Sequence, residues 1–168
     1  MPILSVGKTS STRAGVTLLE LTVVVALIGL LAAVSFPSVS TGLDSVRLAT
    51  TSGSVAGFLN SAVNRAERLQ QPIQVEIVPS ENRLTMTSGV PGFNRELKLP
   101  EGITLEAVLT GNPETDQDPQ QGPFRLILLP GAAVPGIGIQ FANRHGGRRI
   151  VRLDPMTGYP RVESVEAK

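Results

Sequence analysis

The chain has 168 residues, no cysteine and one histidine, which excludes disulfides, zinc–thiolate sites, cysteine nucleophiles and multi-histidine metal centres. Its formal net charge of +1 lacks the overall basicity of a nucleic-acid binder and the acidity suited to cationic substrates. The length allows one globular domain.

Residues 1–15 are polar and carry Lys8 and Arg13 but no acid. Val16 to Phe36 is an almost unbroken apolar run of 21 residues, closed by Pro37. At about 1.5 Å per residue such a helix spans about 32 Å, close to a bilayer core of about 30 Å. The preceding positive charges favour a cytoplasmic N-terminus and translocation of the chain beyond the run. Glu20 is the one ionisable side chain in the run. A carboxylate in a membrane-length segment is costly, so it marks a functional position that needs a partner. The residues alone allow two readings. One is a signal peptide with a small-x-small site at Ala33-Val34-Ser35. The other is a plain membrane anchor, which gives no reason for Glu20 or for Gly15 directly before the run.

Gly15-Val16-Thr17-Leu18-Leu19-Glu20, with the apolar block to Phe36 and then Pro37, resembles the N-terminus of type IV pilins and type II secretion pseudopilins. The resemblance implies that prepilin peptidase removes residues 1–15 by cutting after Gly15. The same enzyme then N-methylates Val16, which stands where the family usually has phenylalanine. It further implies that Glu20 and Pro37 serve assembly, with Glu20 pairing to the N-terminal amine of a neighbouring subunit. The residues agree with that role. Val16 and Glu20 are four apart on one helix face, and an anion in the first turn complements the helix dipole.

Beyond Pro37, which a long helix can carry as a kink, apolar residues recur at Leu43, Val46, Ala49, Val55, Leu59, Ala62, Val63, Ala66 and Leu69. The spacing predicts an amphipathic helix ending before Pro72, at about residue 71. Strands are predicted at Ile73–Val78, Arg83–Thr87, Glu96–Leu99, Ile103–Leu109, Phe124–Leu129, Ile137–Ala142, Ile150–Asp154 and Pro160–Val165, separated by Gly/Pro-rich turns. The expected fold class is α+β, pilin-like: a long N-terminal helix, half membrane-spanning and half amphipathic, packed on an antiparallel β-sheet. The domain scheme is a leader at 1–15, a transmembrane assembly helix at 16–36 and a periplasmic domain at 37–168. Asn64-Arg65-Ala66-Glu67-Arg68 before Pro72, and Val151-Arg152-Leu153-Asp154-Pro155-Met156-Thr157-Gly158, resemble the H-type minor pseudopilins in particular.

Two further groups are candidate sites. Glu114, Asp116 and Asp118 alternate in a polar loop as calcium ligands can, and major pseudopilins bind calcium in a C-terminal loop. The loop lacks the glycine and the closing glutamate of an EF-hand, so a solvated acidic loop is the simpler reading. Arg144, His145, Arg148, Arg149 and Arg152 surround Gly146-Gly147, and a basic hairpin can contact phosphates. Related minor pilins of DNA-uptake machinery use C-terminal arginines in that way, yet no aromatic interleaves here for base stacking. No catalytic constellation is visible. The resemblance therefore implies a non-enzymatic subunit without cofactor, with other minor and major pseudopilins, prepilin peptidase and the inner-membrane secretion platform as partners. It would be a single-pass inner-membrane protein incorporated into a periplasmic pseudopilus. The alternative is a minor type IV pilin serving pilus assembly or DNA uptake; for a pseudopilin, nucleic acid is not an expected partner.

Overall fold

Thr17 opens the helix. Its hydroxyl accepts the Glu20 backbone N–H at 3.2 Å, satisfying one of the donors a helix start leaves free, and its carbonyl accepts the first intrahelical bond from the Leu21 N–H at 3.1 Å. In the computed structural model, α1 then runs over Leu18–Leu69. The structure describes residues 16–89, 92–110 and 122–165, with the side chains of 36–41 outside that description. The chain divides into two units, residues 1–39 and 40–168, each considered by itself.

In the first unit α1 carries the apolar run. Leu18–Ser35 is long and apolar enough to cross a membrane, and none of it is buried. Gly15 lies outside the described residues, and Pro37 falls among those whose side chains do.

In the second unit α1 buries a seam made of Leu48, Val55, Phe58, Leu59, Ala62 and Ala66. Thr51 and Ser52 are buried with them, and Ser52 satisfies its hydroxyl by donating to the Leu48 carbonyl at 2.7 Å. From Val55 to Ala66 this seam follows the stripe read off the sequence, with Val55, Leu59, Ala62 and Ala66 in both; it departs from it toward Leu43. Leu43 and Val46 are 54% and 63% exposed, while the intervening Asp44 is buried. The predicted stripe followed side-chain polarity; the observed one is set by which turns of the helix face the sheets.

The helix stops by its own hydrogen bonds. Gln70 takes a left-handed conformation with φ 51°, and the Gln71 N–H reaches back to the Ala66 carbonyl at 3.3 Å, a Schellman closure. Pro72 comes next, and the strands begin at once.

The rest of the unit is eight strands: β1 (Ile73–Val78), β2 (Arg83–Ser88), β3 (Asn94–Lys98), β4 (Ile103–Leu109), β5 (Phe124–Leu128), β6 (Ile137–Asn143), β7 (Arg148–Leu153) and β8 (Pro160–Val165). They match the predicted strands to within a residue or two. They form two four-stranded sheets rather than one, ordered β3-β2-β1-β5 and β4-β6-β7-β8, with every pair antiparallel. The chain changes sheet after β3, returns for β5 and changes again for β6. Local alternation reports a half-buried strand but not its neighbours, so this exchange is invisible to pattern.

Both sheets turn apolar residues toward the helix seam. Ile73, Val75, Ile77, Leu84 and Met86 come from the first sheet and Ile103, Leu105, Val108, Ile139, Phe141, Val151 and Leu153 from the second, all in one core with Leu59 and Ala62. At about 1.5–3 kcal/mol for each fully buried large side chain, this core is the main stabilising term of the unit. Asn82 ties the sheets together at the end of a 3-10 turn (Pro79–Glu81). With φ 47° it presents its backbone carbonyl to the Leu99 N–H at 2.8 Å and its side-chain oxygen to the Leu105 N–H at 3.1 Å.

The β7–β8 turn explains the Asp154-Pro-Met-Thr-Gly segment. The Asp154 carboxylate accepts the backbone N–H groups of Met156 at 2.9 Å and Thr157 at 3.2 Å, and its carbonyl accepts that of Gly158 at 2.8 Å. Gly158 has φ 69°, and a Cβ there would meet Val63 and Val134 at 3.3 Å, so the turn closes against the helix only with glycine. The Met156 and Thr157 amides, with smaller help from Arg161, hold the Asp154 carboxyl below its ordinary value of 3.8. Its contribution to stability is therefore present above the ordinary aspartate range and lost as pH falls through the lowered folded value. Asp154→Asn is expected to melt below the wild type at neutral pH, and the gap should close on acidification below 3.8. Melting curves of both proteins across that range provide the check; a gap that does not change with pH would remove the carboxylate from the account.

Candidate functional site

Two regions hold the residues singled out from sequence. The first is the start of α1. Thr17-x-x-Glu20 is a capping pattern, with Thr17 at the cap and Glu20 at the third helical position, and the bond between them is made. Thr22 returns its hydroxyl to the Leu19 carbonyl at 2.8 Å, so both threonines serve the helix itself. The Glu20 carboxylate is exposed and has no cation partner among the described residues. Val16 is exposed one position before the cap. A carboxylate in the first turn of a fully exposed apolar helix can pair with a cation supplied from outside the chain.

The second region is the β6–β7 hairpin and the outer face of its sheet. Asn143, itself buried, shapes the tip: its side-chain oxygen accepts the N–H groups of His145 at 3.1 Å and Gly147 at 2.8 Å. This directs His145 to α1, where its Nε2 lies 3.2 Å from the Asp44 carboxylate; Arg47 approaches the same carboxylate at 3.3 Å. Asp44 accounts for the departure at the early turns, where the acid and not Leu43 or Val46 faces the hairpin tip.

The arginines of the hairpin do not form one patch. β7 alternates, so Arg148 and Arg152 share one face of the sheet while Arg149 lies on the other with Val151 and Leu153. Arg148 is held by Glu106, Nε to Oε2 at 2.9 Å and Nη2 to Oε1 at 3.3 Å, and Gln140 donates to the same carboxylate at 2.7 Å. Glu106 reaches them because β4 is irregular between Leu105 and Ala107. Arg152 pairs with Glu163 at 3.7 Å and Arg161 with Asp154 at 3.4 Å. The Arg144 guanidinium lies against Gly102, where an added Cβ would come within 3.0 Å of its Nε. Arg148 and Arg152 are thus met by carboxylates from β4 and β8.

Glu114, Asp116 and Asp118 lie outside the described residues. Among the described residues no group of three histidine, cysteine, aspartate or glutamate side chains is arranged to hold a metal. Sequence reasoning missed the Thr17–Glu20 cap, which its motif does show, and missed Asp44 and Glu106, whose roles depend on strands far away in the chain.

The arrangement is a pilin-like α+β fold: an N-terminal apolar helix whose later turns pack on antiparallel sheets. Among solved structures it is similar to the minor pseudopilin EpsH from the Type 2 Secretion System of Vibrio cholerae. The TM-score is 0.54 at 18% sequence identity, over 70% of this chain and 97% of that one. No protein-family model matches the sequence, and no curated protein sequence matches it.

The pairing of Glu106 yields one expectation. Glu106→Gln should leave Arg148 without its countercharge and raise retention of the full chain on a duplex-DNA column at low salt. Unchanged retention would show that this carboxylate does not mask the hairpin.

Proposed function

We propose that the chain is a minor pseudopilin, a non-enzymatic subunit of the periplasmic pseudopilus that helps move folded proteins through a type II secretion system. One observation carries the reading: a fully exposed apolar helix, with a single carboxylate in its first turn, leads into a domain with the fold of EpsH. Prepilin peptidase removes residues 1–15 and methylates Val16. The helix then anchors the protein in the inner membrane, N-terminus inside and domain in the periplasm, until the secretion platform passes it to the filament with other major and minor pseudopilins.

The exposed helix supplies the driving force for assembly. Its leucine, valine and isoleucine side chains gain roughly 25 cal/mol per Å² when other helices replace water, or pack against them in exchange for lipid. Glu20 supplies register. In an apolar bundle its carboxylate is costly unless it meets a cation, and the new amine at Val16 of a neighbouring subunit is that cation. A subunit that docks out of register leaves both charges unpaired.

Mass spectrometry of the protein purified from its membrane is expected to show a chain starting at a singly methylated Val16. A mature chain starting at Phe36 would make it a secreted protein and remove the proposal. Glu20→Ala should be processed normally but enter filaments poorly. The expected loss in cross-linked or sheared filament fractions is more than tenfold, because one unpaired buried charge costs about 3–5 kcal/mol. Normal incorporation of this variant would eliminate the pairing role.

A further inference from the structure

A cleft of about 390 Å³ lies between the last turns of α1 and the strand pair β2–β3. Arg65 and Arg68 line it from the helix and Arg95 from β3, with Asn60 and Asn64 beside them. Among the described residues no acid lines it. Arg95 faces the helix because it pairs in register with Met86, a core residue. Three arginines unpaired among the described residues meet in this one cleft. Arg47, Arg83, Arg125, Arg148, Arg152 and Arg161 each meet a carboxylate, whereas Arg65, Arg68 and Arg95 have none among the described residues.

Arg65 gives the second observation. Its guanidinium sits 3.5 Å from the centroid of the Phe93 ring, and its Nε is buried without an acceptor among the described residues. A partly desolvated cation fixed in place by an aromatic face acts more strongly on an anion than a free surface arginine does. The adjoining strand β3 is the outer strand of its sheet, and among the described residues one side of its backbone pairs with no other strand and can take an extended segment. The cleft has room for side-chain head groups, and three guanidinium groups match carboxylates in charge and in fork geometry. Stacked bases are disfavoured, since Arg65 already covers the Phe93 ring.

We propose that this cleft docks a carboxylate-rich, extended peptide segment of a partner protein along the free edge of β3, with Arg65, Arg68 and Arg95 as its clamp. The inference rests on the domain alone and not on the assembly reading, and its test requires no filament.

The test uses the full chain in nonionic detergent, titrated with a fluorescein-labelled hexaglutamate peptide at physiological ionic strength and read by anisotropy. Charge-assisted contacts lead us to expect that Arg68→Gln or Arg95→Gln weakens binding about three- to tenfold, and that the triple change with Arg65→Gln abolishes it. Both Arg68 and Arg95 are exposed, so their single variants should keep the wild-type melting temperature and report on binding even if Arg65→Gln impairs folding. A comparator with Arg144, Arg148 and Arg149 all changed to Gln loses the same charge elsewhere and should alter binding by less than about twofold. Wild-type affinity in the triple cleft variant, or an equal loss in the comparator, would overturn the proposal. A labelled oligothymidine that binds more tightly than the peptide and is lost on the same cleft changes would also overturn it, by assigning the cleft to nucleic acid.

Discussion

The globular unit depends on one packing event: the seam from Leu48 to Ala66 closing over two separate sheets. Buried residues of both sheets join those of the helix in one core. The β1–β2 hairpin and the β6–β7 hairpin each present one apolar face, and both faces meet the same helix. Two sheets under a single helix must also be fixed to each other, and Asn82 does this with one residue. Its left-handed backbone and short amide let it bond Leu99 and Leu105 from a single turn. The Asp44–His145 contact adds a tether between helix and hairpin, at a position where an apolar side chain would have been the default.

The first half of the same helix poses the opposite problem. It is far richer in apolar residues, yet nothing among the described residues buries them. An exposed apolar surface of that extent requires a membrane or other chains. The polar groups at its start are economical. Thr17 and Thr22 are used up by the backbone, which leaves the Glu20 carboxylate as the one strong polar group that a neighbour can address.

Charge is distributed by topology rather than by sequence proximity. The run Arg144 to Arg152 looks like a basic patch when written as a line. Folding separates it by strand alternation and sets Glu106 and Glu163 against two of its members. The reverse holds in the cleft, where Arg65 and Arg95 stand 30 positions apart in the sequence and converge with Arg68 on one volume. Positive charge thus converges across a distance in sequence that a linear reading does not show.

The features legible from sequence alone depend on short-range physics. Apolar run length, the period of strands and the breaker Pro72 act within a few residues, so the helix end and the strand limits could be read directly, while the pilin-like class came from the resemblance of the Gly15–Pro37 segment to that family. The division into two sheets, the exposure of Leu43 and Val46, the burial of Asp44 and the pairing of Arg148 with Glu106 were set only in the tertiary structure. Each is a choice among partners far apart in the chain, made by which faces pack together and which charges then lie within reach, and one-dimensional periodicity carries no record of it.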